Sequence, residues 1–135
     1  MRRKMTVNKS IQPNLLLKKT ILIAEDEYMN FELLSEILDG FNVNLIHAAN
    51  GKIAVEIFKN TPIDLILMDI KMPEMNGVTA TKLIKQINNK IPIVALTAHN
   101  DTKTNILIKQ FFDTVIFKPI DIELTLKTIN SLLND

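Results

Sequence analysis

"DLILMDIKMPEMNG", residues 64–77, decides the fold. Leu65, Ile66, Leu67 and Met68 run without a polar interruption into a carboxylate, Asp69, and Met72-Pro73 then closes the segment to further strand. A run this apolar fits a strand covered on both faces, as in a parallel sheet. Four more runs share its length and β-branched character: "TILIAED" (20–26), "VNLIHAA" (43–49), "IPIVALT" (91–97) and "TVIFK" (114–118).

Between these runs the apolar residues recur every three or four positions, the period of a helix packed on one face. The stripes are Met29, Leu33, Leu34, Ile37, Leu38 and Phe41; then Ile53, Ala54, Ile57 and Phe58; then Val78, Leu83, Ile84 and Ile87. The last, Ile122, Leu124, Ile129, Leu132 and Leu133, is opened by Asp121 in a helix-starting position. "NDTKTNILIKQFF" (100–112) carries the weakest helix signal, because Thr102, Thr104 and Asn105 are poor helix formers, although Asp101 can cap. Strand–helix alternation repeated five times implies right-handed crossovers and a doubly wound parallel α/β sheet.

The chain has 135 residues, 47% of them hydrophobic and 23% charged, enough for one well-buried domain. Without cysteine, disulfides and thiolate metal sites are excluded. No apolar run reaches the roughly 18 residues that span a membrane, and Leu15-Leu16-Leu17 is too short for a signal-peptide core, so membrane insertion is not expected and the expected location is cytoplasmic. Residues 1–19 hold Arg2, Arg3, Lys4, Lys9, Lys18 and Lys19 and no acid, whereas the remaining ten lysines face fifteen acids. This divides the chain into a basic leader or linker stub over 1–19 and a folded domain over 20–135, whose acidic balance argues against direct nucleic-acid binding. Nothing in the sequence sets an oligomeric state.

In open parallel sheets ligands bind beyond the carboxyl ends of the strands. There the sequence places Glu25-Asp26, Asp69, Thr97 and Lys118-Pro119. Two carboxylates about 5 Å apart repel by roughly 3 kcal/mol at an effective dielectric of 20, so a cluster of three calls for a cation or for protons. An all-oxygen set with open positions suits Mg²⁺, with Mn²⁺ as an alternative. A metal, a lysine and a hydroxyl around one aspartate are what an aspartyl phosphate needs for its three oxygens, which makes Asp69 a candidate nucleophile.

The fragments "ILIAEDE", "LILMDIKMPEMNG", "ALTAH" and "FKPI", in this order and spacing, resemble the receiver domain of two-component response regulators, most of all those of hybrid sensor kinases and phosphorelays. The resemblance covers about residues 20–133 and implies a flavodoxin-like sheet of strand order 2-1-3-4-5. It implies that Asp69 accepts a phosphoryl group from a phosphohistidine on a sensor histidine kinase or a histidine phosphotransfer protein. Glu25 and Asp26, with Asp69 and the main-chain carbonyl of Lys71, match the family's Mg²⁺ ligands. Thr97 matches its hydroxyl residue and Lys118 its lysine, usually in a cis peptide to the proline that follows. The domain is then no enzyme beyond its own phosphorylation and dephosphorylation. Docking is expected on the first helix near Tyr28, Met29 and Phe31 and on Pro119-Ile120.

Three features depart from the family pattern. Val115 stands where many receivers carry an aromatic ring that swings inward, Phe111-Phe112 occupies a turn where glycine is common, and Glu27 adds charge beside the acid pair. Lys71 and His99, two residues beyond the phosphoacceptor and the threonine, flank the path of an attacking water and are expected to slow hydrolysis. The "DTKTN" segment (101–105) is the expected yielding element. His47 and His99 lack a ligand-spaced partner, so surface or edge positions are expected for both. Rival functions fit less well. A flavin-binding phosphate loop would be repelled by "EDE", a haloacid-dehalogenase-type phosphatase wants an acid where Lys71 stands, and no phosphate-binding "GxxxxGK[ST]" loop is present.

Overall fold

The computed structural model describes residues 19–134; the basic leader lies outside the described residues except for Lys19. Ten elements alternate: β1 (Thr20–Ala24), α1 (Tyr28–Ile37), β2 (Asn44–Ala48), α2 (Gly51–Asn60), β3 (Leu65–Asp69), α3 (Gly77–Ile87), β4 (Ile93–Thr97), α4 (Thr102–Phe111), β5 (Thr114–Phe117) and α5 (Ile122–Asn134). The strands form one sheet in the order β2-β1-β3-β4-β5, every neighbouring pair parallel. This is the doubly wound, flavodoxin-like arrangement that the sequence implies. Among the described residues no helix is long and apolar enough to cross a membrane.

Alternation along the strands fills two cores. Ile21, Ile23, Leu65, Leu67, Val94, Leu96 and Ile116 pack with Leu34 and Ile37 of α1 and Leu126 and Ile129 of α5. Their neighbours Leu22, Ala24, Ile66, Met68, Ile93 and Ala95 pack with α2, α3 and α4 through Ala54, Val78, Ile84 and Ile108. Every residue of β3 and β4 is buried, because both faces are covered; this is why those runs show no polar alternation.

The helices start where side chains can satisfy their first free N–H groups. Asn50 accepts from the Ile53 N–H, Asn76 from that of Thr79, and Asp121 from that of Leu124, at 2.9, 2.9 and 2.7 Å. Asp101 accepts from both the N–H and the hydroxyl of Thr104, which offsets the poor helix formers that open α4. The stripes expected for four helices are corrected at single positions. Met29 is 84% exposed, and Leu33, Ile53, Ile87, Ile122 and Leu124 are also exposed, whereas Phe31 of α1 packs against the core. Phe112 is buried and Phe111 half-buried against the α2–α4 core, so both belong to the core.

Candidate functional site: an acidic pocket at the carboxyl rim

Four strand ends bring the candidate residues together. Glu25 follows β1, its N–H still paired with the Ala48 carbonyl at 3.0 Å, before the chain turns through Asp26 into α1. Asp69 is the last residue of β3 and Thr97 the last of β4. Lys118 follows β5; its N–H bonds the Thr97 carbonyl at 2.8 Å, and its peptide to Pro119 is cis.

The Lys118 ammonium lies 2.8 Å from Glu25 Oε1 and 3.4 Å from Asp69 Oδ1, so it bridges two carboxylates delivered by β1 and β3. The second Glu25 oxygen accepts the Glu27 N–H at 3.1 Å. Ligand oxygens of Glu25, Asp26 and Asp69 all lie within 4.8 Å of one another, with Glu25 and Asp69 buried and Asp26 facing solvent. Burial, and then the negative charge of Glu25, push the Asp69 carboxyl from 3.8 up to about 7, against the pull of Lys118. Burial alone would lower the Lys118 pKa; the hydrogen bond it donates to Glu25 and the charges of Asp69 and Glu25 outweigh it, and the net shift is upward. A pocket that leaves a carboxyl half-protonated near neutrality lacks positive charge, and its donors are all oxygen. The residues therefore fit a hard divalent cation of the Mg²⁺ type.

Thr97 is buried on the strand beside Asp69, and its hydroxyl oxygen accepts the His99 N–H at 2.9 Å, leaving the hydroxyl proton to donate elsewhere. The Lys71 side chain is exposed and lines a groove of about 480 Å³ between α3 and α4, with Ile70, Val78 and Leu107 among its walls. The Glu27 carboxylate is outside the three-acid cluster, and Glu27 serves instead as the N-cap position of α1 without a side-chain bond. Val115 is half-buried against the α2–α4 core and has no ring to swing.

The loop after β3 folds back on Asp69. The Gly77 N–H bonds the Ile70 carbonyl at 2.8 Å, and a Cβ at Gly77 would overlap the Asp69 carbonyl. Gly51 makes a similar close approach to the Met75 carbonyl, so α2 begins against that loop. One contact was not foreseen. His47 Nε2 lies 2.7 Å from the Glu25 carbonyl, and its ring stacks on Phe31.

Fold and site together define a doubly wound α/β domain with a lysine-bridged acidic pocket at the carboxyl rim. Residues 21–130 match the family model described as "Response regulator receiver domain", and the chain belongs to that family. Phosphoryl transfer to an aspartate in two-component and phosphorelay signalling is the standard function of these domains. The chain is 36% identical over 115 residues to the autoinducer 1 sensor kinase/phosphatase LuxN of Vibrio campbellii, covering 85% of this chain and 14% of that protein. It is 36% identical over 116 residues to the hybrid signal transduction protein dokA of Dictyostelium discoideum, covering 84% of this chain and 7% of dokA. It thus spans only a small part of these two relatives. The polar-differentiation response regulator DivK of Brucella anthropi is 32% identical over 120 residues, with 87% of this chain and 98% of DivK covered. Among solved structures, the signal receiver domain of a signal transduction histidine kinase from Syntrophus aciditrophicus superposes with a TM-score of 0.76 at 30% identity, covering 86% of this chain and 89% of that one.

Proposed function

We propose that Asp69 is the phosphoacceptor of this receiver domain and takes its phosphoryl group from a phosphohistidine on a sensor histidine kinase or a histidine phosphotransfer protein. An Asp69 carboxylate oxygen attacks phosphorus, the P–N bond to imidazole breaks, and the imidazole leaves with the bonding electron pair. Glu25, Asp26, Asp69 and the main-chain carbonyl of Lys71 would hold Mg²⁺, or Mn²⁺ in its place, which when bound neutralises charge on the phosphoryl oxygens.

The chain's own groups do the rest. Lys118, already 3.4 Å from Asp69, keeps a fixed positive charge beside the nucleophile and can follow a phosphoryl oxygen without leaving Glu25. The Thr97 hydroxyl keeps a free proton for a second phosphoryl oxygen. Phosphorylation adds about −1.5 to −2 charges at this point. Thr97 and Lys118 share a main-chain hydrogen bond, so motion of either carries the loops that follow β4 and β5. The domain catalyses only its own phosphorylation and dephosphorylation, and a cytoplasmic setting accords with such a phosphoryl source. Docking would use the exposed Tyr28 and Met29 at the start of α1 together with Pro119-Ile120.

The observation that carries this reading is the Lys118 ammonium held between Glu25 and Asp69 by side chains from three separate strand ends. Incubation with acetyl phosphate and Mg²⁺, followed by intact mass, tests it. The chain should gain one phosphoryl group and Asp69→Ala none; an unmodified parent would refute the assignment.

A further inference from the structure

Glu25 is held at three points by ordinary means. Its N–H bonds the Ala48 carbonyl, and its two carboxylate oxygens bond Lys118 and the Glu27 N–H. Its main-chain carbonyl has a different partner. β2 ends at Ala48, and the group that meets this carbonyl is the imidazole of His47, with Nε2 at 2.7 Å. A carbonyl oxygen can only accept, so Nε2 carries the proton. The bond is short, part-buried, and joins residues 22 apart in sequence.

Its consequence falls on the next residue. The Glu25 carbonyl and the Asp26 N–H belong to one rigid peptide plane. Fixing the carbonyl fixes the direction in which the chain leaves toward Asp26, and so where the Asp26 carboxylate can sit. Asp26 is the exposed member of the three-acid cluster. Glu25 and Asp69 are buried in place; Asp26 depends on the path of its backbone.

The ring itself is oriented from the other side. Phe31 stacks on His47 with centroids 4.3 Å apart and planes 22° from parallel, and Tyr28 meets the His47 ring edge-on at 6.1 Å. Tyr28 and Phe31 contact each other at 5.9 Å, and Tyr28 is 61% exposed at the start of α1. A continuous path of packed rings thus leads from the exposed first turn of α1 to the carbonyl of Glu25. Aromatic pairs in such offset or tilted arrangements attract beyond their area burial, which holds the imidazole in one rotamer.

From this geometry we infer that His47 is a positioning residue for the Glu25–Asp26 acid pair, and that the Tyr28–Phe31–His47 stack ties the outer face of α1 to the cation site. The inference rests on the receiver reading above for the cation and goes beyond it in assigning the residue that sets the acid pair. A partner that covers Tyr28 then acts on the acid loop through His47 and not only by bringing its own imidazole near Asp69.

Two variants of the full chain separate the hydrogen bond from the ring. His47→Phe keeps an aromatic against Phe31 and removes the donor; His47→Gln keeps an N–H donor and removes the ring. Outer-shell partners of metal ligands commonly change affinity by about 10–100-fold, and a partner acting through the main chain belongs at the lower end of that range. Calorimetric titration of the metal-free proteins with Mg²⁺ should show affinity about tenfold weaker in His47→Phe and within about threefold of the parent in His47→Gln. The split is what a merely structural role would not produce. Equal losses in both variants, or parental affinity in His47→Phe, overturn the inference. In the unsubstituted protein, nitrogen NMR of labelled imidazole gives a second reading independent of any variant's folding. The Nε2-protonated tautomer is expected in the metal-free state, and the Nδ1 tautomer would overturn the hydrogen bond. Phosphoryl uptake by the parent from acetyl phosphate, measured alongside, distinguishes failure of the receiver reading from failure of the His47 assignment.

Discussion

Asp69→Asn should make the metal-free protein more stable, and only above mildly acidic pH. The carboxyl is pushed from 3.8 up to about 7 in the folded chain, by burial first and by Glu25 second. Between those two values the folded state holds a proton that the unfolded state has released, so stability falls as pH rises from about 4 to about 7 and is level beyond. Three units at about 1.4 kcal/mol each give an upper bound of roughly 4 kcal/mol. Water reaches the pocket on the Asp26 side and screens the repulsion, which leaves on the order of 2 kcal/mol. For a chain of 135 residues that is a rise in Tm of roughly 5–8 °C. The amide keeps the shape of the side chain and an oxygen for Lys118, so packing is little changed. Thermal melts of both proteins without divalent ions should show a gap at about pH 8 that shrinks by about pH 4.5. Saturating Mg²⁺ at the higher pH should stabilise the parent selectively and narrow the gap. A gap that is absent at about pH 8, or that is the same at both pH values, would refute the view that this pocket is starved of positive charge.

Other perturbations probe separate parts of the site. Lys118→Met leaves the fully buried Glu25 carboxylate without its cation and should destabilise by about 3 kcal/mol in urea melts, with Glu25→Gln recovering most of the loss. Gly77→Ala drives a methyl group into the Asp69 carbonyl and should lower both stability, by about 2 kcal/mol or more, and the rate of phosphoryl uptake, because the tip of β3 must shift. Asp101→Ala removes the cap that holds the Thr104 N–H and hydroxyl, so amide exchange should rise across the first turn of α4. The hydrogen bonds from Thr104 lower the Asp101 pKa, so this cap is present at neutral pH and is lost as pH falls through that lowered value. Lys71→Asn and His99→Glu should each shorten the lifetime of the phosphorylated protein, measured by loss of the phosphoryl group over time; unchanged lifetimes would remove both side chains from any part in shielding Asp69.

The sheet and its acidic rim were legible because their signals are local or ordered along the chain. Continuous apolar runs such as Leu65–Met68 arise from covering on both faces, and each strand end is adjacent in sequence to the polar residue it delivers. Spacing could not tell a core stripe from an exposed one near that rim. Met29 and Leu33 keep the helical period of Leu34 and Ile37 yet lie exposed on the flank of α1, while Phe31 between them packs against the core. Asn50 and Asn76 were equally silent until the helices they cap were placed.

His47 shows why the remainder was hidden. Its chemistry resembles an isolated edge imidazole, because its partners come from elsewhere in the chain, Glu25 just past the neighbouring strand and Phe31 on the helix above. Parallel pairing of β1 with β2 sets His47 opposite Ile23, on the face that α1 covers, and α1 can reach it only because the chain reverses immediately after Asp26. No periodicity along the sequence encodes that meeting; it is a product of register, crossover and the short turn acting together. The same three features bring Lys118 to Glu25 across 93 residues, and sequence alone locates that meeting only by placing both residues at the carboxyl rim of a parallel sheet. Where no such pattern exists, contacts that set the geometry of a site have to be found in the fold, as the bond from His47 to the Glu25 carbonyl is, 22 residues away in sequence.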